Sequence, residues 1–283
     1  AVTESGRLYC WGDNAWGQLG TGAAGADGTS AVAVDPELLP AVERVFARSE
    51  YHTCALTALD DGGDLYCFGF NRQGELGEGR GRGPRPEIAL VASNVADAWL
   101  SARTLCVRTE RSGTREVTCF GQNALGQFGD GTRTPRDTLD GGGVSVDGLD
   151  GLSEVTASAA DTFCGIRDGR AHCWGDTRFG QLPNERLVLE APTAPVVDDG
   201  GTLETLALGG PTSVGLVAGV PHVAGSPEQG AFGSVDPRVA PGRFVPVAGW
   251  PTDTTLVQAD AGTVFGCGVD DGGDVWCWGS SSR

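Results

Sequence analysis

The stretch GRLYCWGDNAWGQLGTG at residues 6–22 decides the fold, because it comes back. It returns as GDLYCFGFNRQGELGEG at 63–79, REVTCFGQNALGQFGDG at 115–131 and GRAHCWGDTRFGQLP at 169–183, and GDVWCWG stands at 273–279. The glycine after the aromatic residue marks each copy: Gly12, Gly69, Gly121, Gly175 and Gly279, at intervals of 57, 52, 54 and 104. The last interval is twice 52, which predicts one more copy near residue 225. Laying TFCGIRDGRAHCWGDTRFGQL (162–182) over TSVGLVAGVPHVAGSPEQGAF (212–232) needs no gap and puts Gly225 at the marker position. In that register Val214 replaces Cys164 and Val223 replaces Cys173, so two cysteines are lost together.

Working outward from the marker, each copy holds two short apolar runs, such as HTCAL (52–56) and DLYCFG (64–69), joined by a Gly/Asp turn. Such turns supply the positive φ angles of tight hairpins. The runs are continuously apolar rather than alternating, as in strands covered on both faces. A second Gly-rich turn, GQLGTG, follows the marker strand, and ELLPAVERVF (37–46) is a candidate for one helical turn. Copies of about 50 residues built from short strands predict an all-β fold, a β-propeller with one four-stranded blade per copy and at least five blades. The chain then reads as a single propeller domain with repeats near 1–22, 23–79, 80–131, 132–183, 184–233 and 234–283.

The run YCWGDNAWGQLG carries a resemblance to the regulator-of-chromosome-condensation repeat family, whose signature is apolar strand, aromatic-Gly, polar-Asn and Gly-Gln-Leu-Gly. The resemblance covers nearly the whole chain and implies a propeller, commonly closed with seven blades. The register opens just before one YCWG strand and stops after an equivalent CWG strand. The expectation is therefore an N-terminally incomplete ring, with a smaller ring closed by the surplus strand as the alternative. The family's usual use implies protein–protein interaction.

Composition removes whole reaction classes. Among 283 residues the formal charge is −17, and all twenty basic residues counted as Lys or Arg are arginine. Without lysine there is no P-loop NTPase, no Schiff-base enzyme and no lysine base. The acidic balance argues against nucleic-acid binding, which needs a basic face. No run approaches the eighteen apolar residues of a membrane span.

Nine cysteines divide into four within-repeat pairs and one remainder. The pairs are Cys54 with Cys67, Cys106 with Cys119, Cys164 with Cys173, and Cys267 with Cys277, each joining the strands that flank one turn. Disulfides are the leading reading, supported by the joint loss at Val214 and Val223. Free buried thiols and a metal site are the alternatives, although zinc wants four ligands converging on one point. Disulfides place the chain outside the cytosol: extracellular, periplasmic or at a cell surface. Cys10 aligns with the second member of a pair, so its partner is expected upstream of residue 1.

No catalytic constellation emerges and no cofactor is called for. His52 sits in a core strand, while His172 and His222 share one repeat position, as structural residues do. GQLGTG superficially resembles a phosphate cradle, but it recurs with no helix behind it and reads as a turn. The DDGGD runs at 60–64 and 270–274 read as hairpin turns, with calcium as the alternative. Counting from each marker glycine gives a less expected pattern. Arg80, Arg82 and Arg85, then Arg133 and Arg136, then Arg186, then Arg238 all fall 11 to 16 positions downstream. Equivalent blade positions share a face, so these seven predict an arc that pairs carboxylate, phosphate or sulfate on an anionic partner. The alternative is that arginine is merely the base available to solvated loops. Trp16, Trp99 and Trp250 are the aromatic candidates outside the CWG strands, Trp16 as an interface anchor.

These readings converge on a non-enzymatic, secreted or cell-surface binding scaffold that presents its blade loops to a protein partner. An extracellular enzyme inhibitor is the alternative. The resemblance also implies guanine-nucleotide exchange, but that activity is intracellular and uses an inserted wedge for which no segment matches here.

Overall fold

The structure is a computed structural model describing residues 1–47, 51–58, 62–77, 83–111, 114–136, 149, 151–176, 188–193, 196–197, 201–210, 212–225, 243–263 and 265–279. The chain divides into two compact units, one of Ala1–Ala124 with Arg133–Asp147, the other of Leu125–Thr132 with Gly148–Arg283. Among the described residues every regular element is a strand.

The first unit begins with the pair β1 (Tyr9–Gly12) and β2 (Gly28–Ala33). There follows a six-stranded sheet in sequence order: β3 (Val42–Phe46), β4 (His52–Thr57), β5 (Gly63–Phe70), β6 (Pro84–Leu100), β7 (Thr104–Arg111) and β8 (Thr114–Gly121). This sheet is two blades sharing one strand. The N-terminal half of β6 pairs with β5 and its C-terminal half with β7. Asn94, at φ 58, stands at the bend, a left-handed position that asparagine tolerates better than most side chains. Pro84 and Pro86 lie where β6 is the outer strand of its blade; without an N–H they cannot extend the ladder outward, which suits an edge.

The expected helical turn at 37–46 is not one. Residues 36–38 form a plain turn and Val42–Phe46 is strand β3, because Pro40 interrupts any helix and two valines and a phenylalanine favour the pleat.

The second unit holds three sheets. The first contains β9 (Val155–Ala157), β10 (Thr162–Arg167), β11 (Arg170–Asp176) and β12 (Val188–Thr193). The second contains β13 (Val196–Val197), β14 (Leu203–Leu208), β15 (Thr212–Val217), β16 (Val220–Gly225) and β17 (Arg243–Pro246), with β13 parallel to β17. The third contains β18 (Leu256–Ala261), β19 (Phe265–Asp270) and β20 (Val275–Gly279).

The hidden copy is therefore a blade hairpin. Val214 lies directly opposite Val223, as Cys164 lies opposite Cys173 one blade earlier. Gly215 faces His222 as Gly165 faces His172. Both hairpins close with two residues at positive φ, Asp168–Gly169 (52° and 68°) and Ala218–Gly219 (49° and 71°), the tight turn whose twist matches that of paired strands.

Candidate functional site

Three residues shape the first three marker turns: a glycine, an asparagine and a glutamine or glutamate. The marker glycine sits at φ 115 in Gly69 and 99 in Gly121, and a Cβ on Gly69 would come within 2.5 Å of the Tyr51 carbonyl oxygen. Only glycine meets both conditions, so the aromatic-Gly pair is obligatory. The asparagine two residues later pins the loop: Asn14 Oδ1 accepts from Leu19 N at 3.1 Å, and Asn71 Oδ1 accepts from Leu76 N at 3.0 Å. The glutamine closes it again, as Gln18 Oε1 accepts from Trp16 N and Gln127 Oε1 from Leu125 N, both at 2.9 Å.

The last glycine of the first and third loops has a separate job. A Cβ on Gly20 would stand 2.9 Å from the Phe68 ring, and one on Gly129 3.0 Å from the Trp174 indole. The aromatic residue of one copy thus lies on the loop of the copy before it. Trp174 adds a bond from its indole N–H to the Gln127 carbonyl at 2.9 Å. GQLG is accordingly a latch between successive blades. Its N–H groups serve the turn itself, with Gly17 N donating to Asn14 O and Gly20 N to Gly17 O.

The acidic turn at 270–274 works in the same way. The Asp270 carboxylate accepts from the Trp276 indole, Asp274 N and Gly272 N, at 2.8, 2.8 and 3.0 Å. The Trp276 bond foremost, then the backbone donors, hold its carboxyl below the usual carboxylate range. Among the described residues no cluster of three His, Cys, Asp or Glu side chains is arranged for a metal. In the run at 60–64, Asp60 and Asp61 lie outside the described residues.

Disulfides join Cys54–Cys67, Cys106–Cys119, Cys164–Cys173 and Cys267–Cys277, each between directly opposed residues with Cα atoms 4.0–4.1 Å apart. The first three are buried, whereas Cys277 is exposed. Cys10 is free and half-buried.

Of the seven counted arginines, Arg80, Arg82, Arg186 and Arg238 lie outside the described residues. Arg85 stands opposite Gly69 and Arg136 opposite Gly121, so two copies put an arginine at one register position across from their marker glycine. Arg133 is exposed in the loop leading to Arg136. Residue counting did not find Arg243, which begins β17 and extends the ladder Val223↔Val245 toward Gly225. Arg243 stands 18 positions after Gly225, against 16 for Arg85 after Gly69 and 15 for Arg136 after Gly121, so fixed offsets from the marker miss it.

The tryptophans divide differently from their sequence grouping. Trp16 is half-buried, its ring edge-to-face with Phe70 at 4.8 Å. Trp99 is buried beneath the Arg108 guanidinium at 5.7 Å, and Trp250 packs edge-on against Trp276 and Trp278. Trp11, within a CWG strand, is instead 58% exposed. Arg44 and Arg108 both bind Asp97, at 2.9 and 3.3 Å, tying β3 to β6 and β7 rather than facing a ligand.

No protein-family profile matches the chain. It is 30% identical over 196 residues to the human E3 ubiquitin-protein ligase HERC2 and 29% identical over 193 residues to the Arabidopsis thaliana ultraviolet-B receptor UVR8, each match covering 64% of this chain. Those matches span only 4% and 40% of the relatives' own lengths. Yeast RCC1 (Prp20) bound to Kap60 superposes with a TM-score of 0.77 at 17% identity, over 99% of this chain and 67% of that one. The ectodomain of the Physcomitrella patens receptor kinase CR4 gives 0.52 at 20% identity, over 99% and 58%. By its repeats the chain resembles the regulator-of-chromosome-condensation repeat family, and it shares the propeller fold of the Prp20 structures.

Proposed function

We propose that this chain is a non-enzymatic binding propeller of an oxidising, extracytosolic compartment, and that it takes an anionic protein partner on the arginines following each Gly-Gln-Leu-Gly loop. The observation that carries the reading is the shared register of Arg85 and Arg136 across from Gly69 and Gly121. Guanidinium groups repeated at one strand position suit a row of carboxylates better than a single compact ligand. The loops themselves are engaged as latches, which leaves the flanking outer strands as the recognition surface. Arg80, Arg82, Arg186 and Arg238 extend the same proposal by sequence equivalence.

Similar proteins support protein binding and exposure outside the cytosol separately. Prp20 structures concern a complex with Kap60 and binding to Gsp1p and histones, and the CR4 structure is a receptor ectodomain. Four cystines favour the second setting for this chain, since reducing compartments keep such thiols open.

The test uses poly-L-glutamate as the probe. Wild-type protein is compared with the triple variant Arg85→Ser, Arg133→Ser, Arg136→Ser by fluorescence anisotropy at about 20 and 150 mM salt, a range over which exposed charges become strongly screened. The expected outcome is salt-sensitive binding that weakens at least about tenfold in the variant, each lost charge-assisted contact being worth about 1 kcal/mol or more. Equal binding by both proteins, with folding verified by circular dichroism, contradicts the proposal.

A further inference from the structure

One position beside the marker strand is constant in its backbone from copy to copy and variable in its side chains. Phe70 N donates to Tyr51 O, Gln122 N to Arg103 O and Asp176 N to Asp161 O, at 2.9, 2.9 and 3.0 Å. The loop of the preceding copy has a variable residue of its own, two places after its asparagine: Trp16, Gln73 and Leu125. Their backbone N–H groups again share one bond, to the side chains of Gln18, Glu75 and Gln127 at 2.9, 2.7 and 2.9 Å. The sets are therefore Trp16 with Tyr51 and Phe70, Gln73 with Arg103 and Gln122, and Leu125 with Asp161 and Asp176. The same backbone bonds hold aromatic, polar and acidic members, so the fold itself asks for no aromatic residue in the first set.

In that first set the three rings meet. Phe70 lies edge-to-face with Trp16 at 4.8 Å and tilted against Tyr51 at 5.7 Å, and all three side chains are half-buried. Pro84 stands directly opposite Phe70, which brings both to one face of the sheet. Pro86 lies so close to Gly17 that a Cβ there would come within 2.6 Å of it. Arg85, between the two prolines, is turned to the other face by strand alternation, so this surface is separate from the arginine row. The indole N–H groups of Trp174, Trp250 and Trp276 are bonded, and the unbonded ones of Trp99 and Trp278 are enclosed. That of Trp16 is neither bonded among the described residues nor enclosed.

We propose that Trp16, Tyr51 and Phe70 form a docking surface for a proline-rich segment of a protein partner, bound in the polyproline II conformation. Such a segment offers apolar pyrrolidine rings that stack on aromatic side chains, and carbonyls with no internal partner that accept from the Trp16 indole N–H. It is extended before it binds, so docking orders little further chain. A helical segment is the poorer occupant, because its carbonyls are already bonded within the helix and would leave the indole donor unpaired.

The probe is uncharged decaproline, acetylated and amidated at its ends, with a Gly-Ser peptide of equal length as control, and isothermal titration calorimetry as the readout. Wild-type protein is expected to bind decaproline and not the control, with the same affinity at about 20 and 150 mM salt, since no charge pair is involved. Trp16→Phe keeps a ring and removes the donor, and is expected to weaken binding about three- to tenfold, the worth of one hydrogen bond. The triple variant Trp16→Gln, Tyr51→Arg, Phe70→Gln installs the set that the next copy carries on the same backbone. It is expected to weaken binding at least about thirtyfold, as loss of the anchoring side chains does. Circular dichroism verifies that both variants fold. Failure of the wild type to distinguish the two peptides, equal affinity in either variant, or binding that fades at the higher salt overturns the proposal. Salt-sensitive binding of poly-L-glutamate by the arginines stands or falls separately.

Discussion

At the scale of single residues, the position opposite the marker glycine is threonine in three copies, phenylalanine in the last (Phe265 facing Gly279) and histidine in one. Thr104, Thr162 and Thr212 face Gly121, Gly175 and Gly225, and their hydroxyls donate to the carbonyls of Gln122, Asp176 and Thr263 at 2.8, 2.6 and 3.2 Å. His52 holds that place opposite Gly69 and is fully buried. Burial pushes its imidazole from 6.5 down to about 4, so the folded state keeps it neutral over a range in which the unfolded chain takes up a proton. The unfolded state therefore binds more protons below about pH 6.5, and stability falls as pH drops from there to about 4. The amount is about 3 kcal/mol, at about 1.4 kcal/mol for each pH unit. His52→Thr installs the residue that three other copies carry. Relative to wild type the variant is expected to gain about 3 kcal/mol between pH 7 and pH 4, whatever its stability at neutral pH. Urea unfolding at several pH values measures this, and parallel profiles for the two proteins would contradict it.

At the scale of elements, the cysteine-free hairpin offers the sharpest test of register. Val214 and Val223 are opposed and almost fully buried, in the place where neighbouring copies carry a disulfide. Val214→Cys with Val223→Cys is expected to form a bond spontaneously in a glutathione buffer and to stabilise by about 2.5 kcal/mol, the chain-entropy value for a ten-residue loop. Two persistent thiols in the folded protein would show the register to be wrong. The native disulfides differ in access, since Cys277 is exposed and the first three pairs are buried. Graded dithiothreitol followed by alkylation is expected to open Cys267–Cys277 first, and earlier labelling of Cys54, Cys106 or Cys164 would contradict that order. These elements were legible in sequence because marker glycine, cysteine pair and turn are strictly local: HTCAL and DLYCFG became β4 and β5 within a residue or two of their apolar runs. The outer strands were not legible. The 17-residue β6 begins Pro-Arg-Pro and has no alternation to betray it, because its pairing is set by β5 and β7 rather than by its own pattern.

At the scale of the molecule, the sequence revealed the repeat but not what the recurring loop does within it. GQLG read as a turn; that its final glycine seats the next copy's aromatic ring needed coordinates, since Gly20 and Phe68 are far apart along the chain. The same contact explains why Phe68, Phe120 and Trp174 are buried, while Trp11, on which no such loop lies among the described residues, is exposed. The candidate site was legible only in part, because counting from a marker finds positions while the spacing holds and loses them where, as at Arg243, the spacing changes. The chain is above all a series of blade hairpins, four of them stapled within themselves by a disulfide. Peptide mapping of the unreduced protein by mass spectrometry tests it most directly. The account predicts the linked peptides Cys54–Cys67, Cys106–Cys119, Cys164–Cys173 and Cys267–Cys277, and cross-links between different copies, or eight alkylatable thiols at these positions, would contradict it.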